Sequence, residues 1–180
     1  LYATEAAKPP LYDVFAALQD TLQDMRGDRL AAQLAALEVA LALVRKHASA
    51  AGMPDLLSLC LRLARSHAVV VVRAHALALL AAVLPAQDVG AHAKELYKQL
   101  RQLLADKAGP VVRGAAACLE VLRDVHDVLR ARSETEAHVV LAFKVSAAAD
   151  TSTRTALAEL AAALLAQHVS DEAPLEPLAM

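Results

Sequence analysis

Tryptophan is absent from these 180 residues, aromatics amount to 3%, and there are 5 glycines. No glycine-rich phosphate loop is present, and the basic residues are not interleaved with aromatics for base stacking. A G-x-S-x-G nucleophile elbow is missing as well. Cysteine is scarce: Cys60 and Cys118 stand in separate apolar runs, where buried thiols act as small hydrophobes in a reducing compartment. The histidines form neither an H-E-x-x-H motif nor a paired Cys/His pattern, so no metal or cofactor is expected. Cys118 and His126–Asp127 suggest a thiol nucleophile and base, but about two helical turns, roughly 12 Å, separate them along one helix. No catalytic residue emerges. Neither sign of charge dominates, the net charge being −2, which gives no basic footprint for nucleic acid. Mean hydropathy is positive at +0.39. Even so, no charge-free apolar run reaches the roughly 18 residues of a membrane span; the longest, Ala74 to Ala86, is too short. Leu1 is not an initiator and no signal sequence follows it. The expectation is a soluble intracellular all-α segment of something longer.

What the chain does contain is alanine and leucine, both strong helix formers, arranged with a long period. Gln33, Arg73, Arg113 and Arg154 stand 40, 40 and 41 residues apart. Each opens a similar small-residue stretch: QLAALEVAL, RAHALALLA, RGAAACLEV and RTALAELAA. A period of this size carried by helix pairs indicates a HEAT or armadillo-like α-solenoid of about four helical hairpins.

Residues 1–10 read as a lead-in ending in Pro9–Pro10, residues 11–169 as the repeats, and residues 170–180, with two prolines, as a flexible tail or linker. The hairpins fall at about 11–48, 54–84, 88–128 and 133–169. In the first, Leu11, Val14, Phe15, Leu18 and Leu22 mark an amphipathic helix to Asp24. Gly27 breaks it, and Asp28 is placed to cap the next helix. That helix runs to about His47 with Leu30, Leu34, Leu37, Leu41 and Val44 on one face. Gly52–Met53–Pro54–Asp55 is a turn leading into Asp55–Ser66, which is followed by Val69–Leu84. Val69 to Val72 would suit a strand, but they sit where the period demands a helix start. Pro85 ends that pair. Asp88–Leu104 with Pro110–Val128, and Ser133–Ala147 with Thr151–Val169, complete the set; Ser133 and Glu136 have capping-box spacing. Alanines near the start of the second helices (Ala35–Ala36, Ala74 and Ala76, Ala115 to Ala117) permit close helix approach.

The stretch Leu96 to Leu122 has the HEAT form: a first helix, Asp106 in the turn, then Val112–Arg113 opening the second helix. Such Asp and Arg residues form charge-assisted bonds that orient successive turns. The Asp-to-Arg spacing varies, with Asp150 only four before Arg154 and Ser66 in the second turn, so no regular ladder is expected. Gln33, Arg73, Asp106, Arg113, Asp150 and Arg154 are the structural repeat positions; binding residues are not identified. Lys98, Arg101 and Lys107 form a modest basic patch that reads as a solvated helix face.

These residues resemble the HEAT-repeat-containing protein 5 family, very long solenoids that are accessory proteins of the clathrin adaptor. Tyr97–Lys98, Leu103–Leu104, Asp106, Val112–Arg113, Ala115, Ala117–Cys118–Leu119, Glu136, Phe143–Lys144 and Arg154 match the family pattern, and the similarity extends over most of residues 11–168. The turn before Arg113 is one residue longer than the family's, and Ala148–Ala149–Asp150–Thr151–Ser152 replaces its Ser-Asn turn. The resemblance implies a non-enzymatic scaffold of vesicle traffic between trans-Golgi network and endosomes. Its partners would be adaptor-associated proteins and further repeats of a parent chain, with peripheral rather than integral membrane association and no nucleic acid. The alternative is a HEAT scaffold of another class, serving nuclear transport, a phosphatase or kinase, or translation.

Overall fold

The computed structural model describes residues 10–47, 55–89, 92–125 and 150–171, and among them every regular element is helical. There are two compact units, Leu1–Val89 and Gly90–Met180. The first holds α1 (Pro10–Leu22), α2 (Leu30–Lys46), α3 (Leu56–Ser66) and α4 (Val70–Val83), closed by a 3-10 turn at Leu84–Ala86. The second holds α5 (Ala93–Leu103), α6 (Gly109–Val125) and α7 (Thr151–Asp171). The expected helix Ser133–Ala147, with its Ser133 and Glu136, lies outside the described residues, as do Pro9 and Gly52–Pro54. Among the described residues the fold is all-α.

Local chemistry sets the ends. Pro10 opens α1, where a missing N–H costs nothing. Arg45 and Lys46 occupy the last turn of α2, where cations oppose the negative end of the helix dipole. Val69 is extended (φ −95°, ψ 122°) and the helix begins at Val70; the valine run is a helix start, as the period required. Pro85 falls in the 3-10 turn, its ring unable to continue the α-helical ladder. The expected helix from Asp88 starts later, at Ala93. Val89 is instead buried, its N–H bonded to the Gln87 carbonyl at 3.1 Å, so the chain turns there. Ser170 and Asp171, expected in the tail, belong to α7.

In the first unit α1 packs on α2, α3 on α4, and α2 on α4. In the second, α5 packs on α6 and α6 on α7. The first and second members of the pairs therefore face different demands. α3 buries one stripe (Leu56, Leu59, Cys60, Leu63, Ala64) and exposes Ser58, Arg62 and Arg65. α4, held on two sides, buries Val72, Ala76, Leu77, Leu79, Leu80 and Val83. On α2 the buried set is Gln33, Ala36, Leu37, Ala40 and Val44, while Leu34 and Leu41 are half-buried and Leu30 is 36% exposed. The face expected from leucine spacing is thus rotated. On α2, which contacts both α1 and α4, Ala36 and Ala40 are buried beside Leu37 and Val44.

The same logic applies to α6, where Ala115 and Ala116 are buried in a helix that touches both α5 and α7. Ala116→Leu is expected to cost about 1–3 kcal/mol by overpacking. Urea unfolding is the check, and an unmoved midpoint would show that this face tolerates bulk.

Candidate functional site

Gly109, Arg113, Asp150 and Thr153 meet in the second unit. Asp150 precedes α7 and caps it, Oδ1 accepting from Thr153 N–H at 2.8 Å and Oδ2 from Thr153 Oγ1 at 2.7 Å. Arg113, on α6, donates through Nη1 to Thr153 Oγ1 at 2.9 Å and to Asp150 Oδ1 at 3.2 Å. The Arg113 and Asp150 side chains are 36% and 48% exposed, so solvent screens the ion pair and its worth is mainly orientation. Gly109 makes room: a Cβ there would lie 2.5 Å from Asp150 Oδ2 and 2.6 Å from Thr153 Oγ1.

Thr153 stands 40 residues after Arg113, and Arg113 and Arg73 follow Arg73 and Gln33 by the same interval. The residue that receives Arg113 is thus the buried Thr153, 3% exposed, which stands one position before Arg154. Arg154, expected there, is exposed and donates to Thr151 Oγ1 at 3.2 Å on its own helix. A charged head one residue further round a helix reaches water instead of the neighbouring turn. Asp106 accepts from Ala108 N–H at 2.8 Å, bracing the turn before α6. Arg73 is half-buried.

In the first unit the corresponding junction centres on Asp24. Its carboxylate accepts from Arg26 N–H at 3.0 Å and Arg29 N–H at 3.1 Å, bracing the turn before α2. Asp28 makes no side-chain cap, and Arg29 occupies the cap position. The Asp24 carbonyl accepts from Gln33 Nε2 and, at 3.1 Å, pairs with His67 Nε2. Since His67 Nδ1 accepts from Val69 N–H at 3.0 Å, Nε2 carries the proton and donates. Ala68 N–H donates to the Met25 carbonyl at 3.2 Å. These bonds tie the α1–α2 turn to the α3–α4 turn. Sequence reading missed Asp24 and His67. A signal existed for Asp24, an aspartate at a helix end three residues before glycine, but bonds to its carbonyl carry no residue signature.

Hydrogen bonds hold both carboxylates below the ordinary aspartate range. For Asp150 the Thr153 hydroxyl is the leading cause, followed by Thr153 N–H and, further down, Arg113. For Asp24 it is Arg26 N–H, with Arg29, Gly27 and Asp28 adding to it. Their stabilisation is complete above the unfolded value near about 4 and is lost as pH falls through the depressed folded values. Asp150→Asn and Asp24→Asn are each expected to flatten the acid limb of stability against pH. Acid titration by circular dichroism reads this, and limbs superimposable on wild type would remove these carboxylates from the account.

Among the described residues no three His, Cys, Asp or Glu side chains are grouped to hold a metal ion. Cys60 and Cys118 are buried and unbridged, while His126 and Asp127 lie outside the described residues. His75 bonds the Val71 carbonyl through Nδ1 at 2.9 Å and sets Nε2 4.0 Å from Glu38. Lys98, Arg101 and Lys107 are exposed.

The second helices also present apolar groups outward. On α2, Leu30 and Val39 are exposed beside Ala31, Ala32, Ala35 and Ala42; on α4, Val71 and Ala78 are exposed. No described helix is long and apolar enough to cross a membrane. Comparison with protein-family models, with curated proteins and with solved structures finds no match.

Proposed function

We propose that this chain is a stretch of HEAT/armadillo-like α-solenoid acting as a non-enzymatic protein–protein interaction scaffold. The observation that carries this reading is the bond from Arg113 to Thr153, which links the starts of two packed helices, α6 and α7, across 40 residues of sequence. Bonds of this kind between successive second helices support a stacked array, whose extended surface would suit long or multiple partners. The pairing of second helices, α2 with α4 and α6 with α7, agrees with such an array. Exposed Val39 and Val71 offer apolar anchors of the kind helical partners use.

Resemblance to the HEAT-repeat-containing protein 5 family supplies the cellular context. The scaffold would bind adaptor-associated proteins in the cytoplasm and support clathrin-adaptor-linked traffic between trans-Golgi network and endosomes, associating with membranes peripherally. The test is affinity capture from cytosol with the 180-residue chain as bait and mass spectrometry of what it retains. Enrichment of clathrin-adaptor components and their accessory proteins is expected. Enrichment of nuclear-transport cargo, phosphatase subunits or translation factors would discard the trafficking assignment and favour a scaffold of another class.

A further inference from the structure

We infer that a groove between α1 and α3 is a docking site for an extended peptide segment bearing opposite charges three residues apart. The groove has a volume of about 330 Å³ and is lined by Gln19 and Gln23 on one side and Asp55, Ser58, Leu59 and Arg62 on the other. It would serve the scaffold function proposed above, on which its assignment rests.

Spacing organises the two walls. Ser58 and Arg62, four residues apart on α3, share a helix face, opposite Gln19 on α1 and Gln23 in the turn that follows it. Leu59, 5% exposed, supplies an apolar floor. Gln19, Gln23, Arg62 and the Asp55 carboxylate have no hydrogen bond or ion pair among the described residues. Asp55 stands in the cap position of α3 with φ 63°, yet makes no side-chain cap. Ser58 Oγ donates to the Asp55 carbonyl at 2.8 Å, and its lone pairs stay open.

The chemistry of the lining selects the partner. A glutamine amide joins one acceptor to two donors, the complement of a peptide's C=O and N–H. A backbone satisfied within its own helix or sheet could not use it; a polyproline-type coil, with no internal hydrogen bonds, could. Asp55 and Arg62 put opposite charges at the two ends, seven residues or about 10.5 Å of helix rise apart. A polyproline-type coil returns to the same face every three residues, about 9.3 Å. A lysine and a glutamate at that interval would therefore meet Asp55 and Arg62 together, with the intervening amides over Gln19 and Gln23. Nucleic acid suits the groove poorly, because a carboxylate closes one end and the lining has no aromatic ring to stack on.

The experiment titrates the isotope-labelled full chain with acetyl-Lys-Pro-Ala-Glu-amide and, separately, acetyl-Glu-Pro-Ala-Lys-amide, following backbone amides by NMR. One direction is expected to give saturable shifts at Ser58, Leu59 and Arg62. Arg62→Glu, at an exposed position, should weaken binding about tenfold or more with an unchanged circular dichroism spectrum. A peptide with lysine in place of its glutamate should restore binding to Arg62→Glu. Absence of saturable shifts with both peptides, or equal binding by Arg62→Glu and wild type, would overturn the groove. Adaptor capture that survives such a failure would spare the scaffold function. Peptide binding without adaptor capture would retain the groove and discard only the traffic assignment.

Discussion

Gly27→Ala is expected to destabilise the first unit by about 2–4 kcal/mol, measured by urea unfolding. Two effects add. Gly27 has φ 86°, a left-handed conformation that costs an L-residue about 1–2 kcal/mol. A Cβ there would also stand 2.7 Å from Val69 Cγ2 and 3.7 Å from His67 Cε1, an overlap worth about 1–3 kcal/mol. Restricting the unfolded chain returns about 0.4–1 kcal/mol, which trims the total. The position matters because this turn is joined to the next. Leu30 N–H bonds the Gly27 carbonyl at 3.2 Å to start α2, and Met25 and Asp24 beside it accept from Ala68 and His67. Adding Val69→Ala separates the two effects. The double variant should recover the steric part and retain the backbone part. Wild-type stability in Gly27→Ala would mean that the two turns are not closely apposed.

Leu80→Ala should cost still more, about 2–5 kcal/mol, out of a total that is about 5–15 kcal/mol for domains generally. Leu80 has no exposed surface, and its neighbours Leu77, Leu79 and Val83 on the same helix have none either. Burial around so much of α4 follows from its contacts with both α2 and α3. With helices on two sides, the space left by three missing carbon atoms cannot collapse without moving one hairpin against the other. Val39→Ala supplies the contrast: at 45% exposure it should change stability by no more than about 0.5 kcal/mol. Similar losses from both substitutions would mean that the second helices do not separate core from surface as described.

Sequence periodicity placed α3 and α4 to within a residue at most ends, since Asp55, His67 and Pro85 punctuate strong helix-forming runs. It singled out Arg113 and Asp150 from the HEAT-like pattern, but placed Arg113 with Asp106 and Asp150 with Arg154, whereas Arg113 bonds Asp150. Asp24 escaped. It works as much through its carbonyl as through its side chain, and every residue has a carbonyl. Thr153 escaped for a different reason: its part is a hydroxyl accepting from an arginine 40 residues earlier, which no local pattern marks. The start of α5 was misjudged because Asp88 and Val89 suit a helix locally, whereas the core takes Val89 in a turn.

Helical class, the 40-residue period and the small-residue contacts follow from composition and spacing. Propensity and amphipathic pattern act between residues three or four apart, where the chain itself carries the information. Which arc of α2 is buried, which of Thr153 and Arg154 receives Arg113, and which side chains of α1 and α3 come to line one groove were decided by tertiary structure. Each depends on groups tens of residues apart in sequence arriving within hydrogen-bonding or van der Waals reach, and those distances are properties of packed helices rather than of any one stretch of chain.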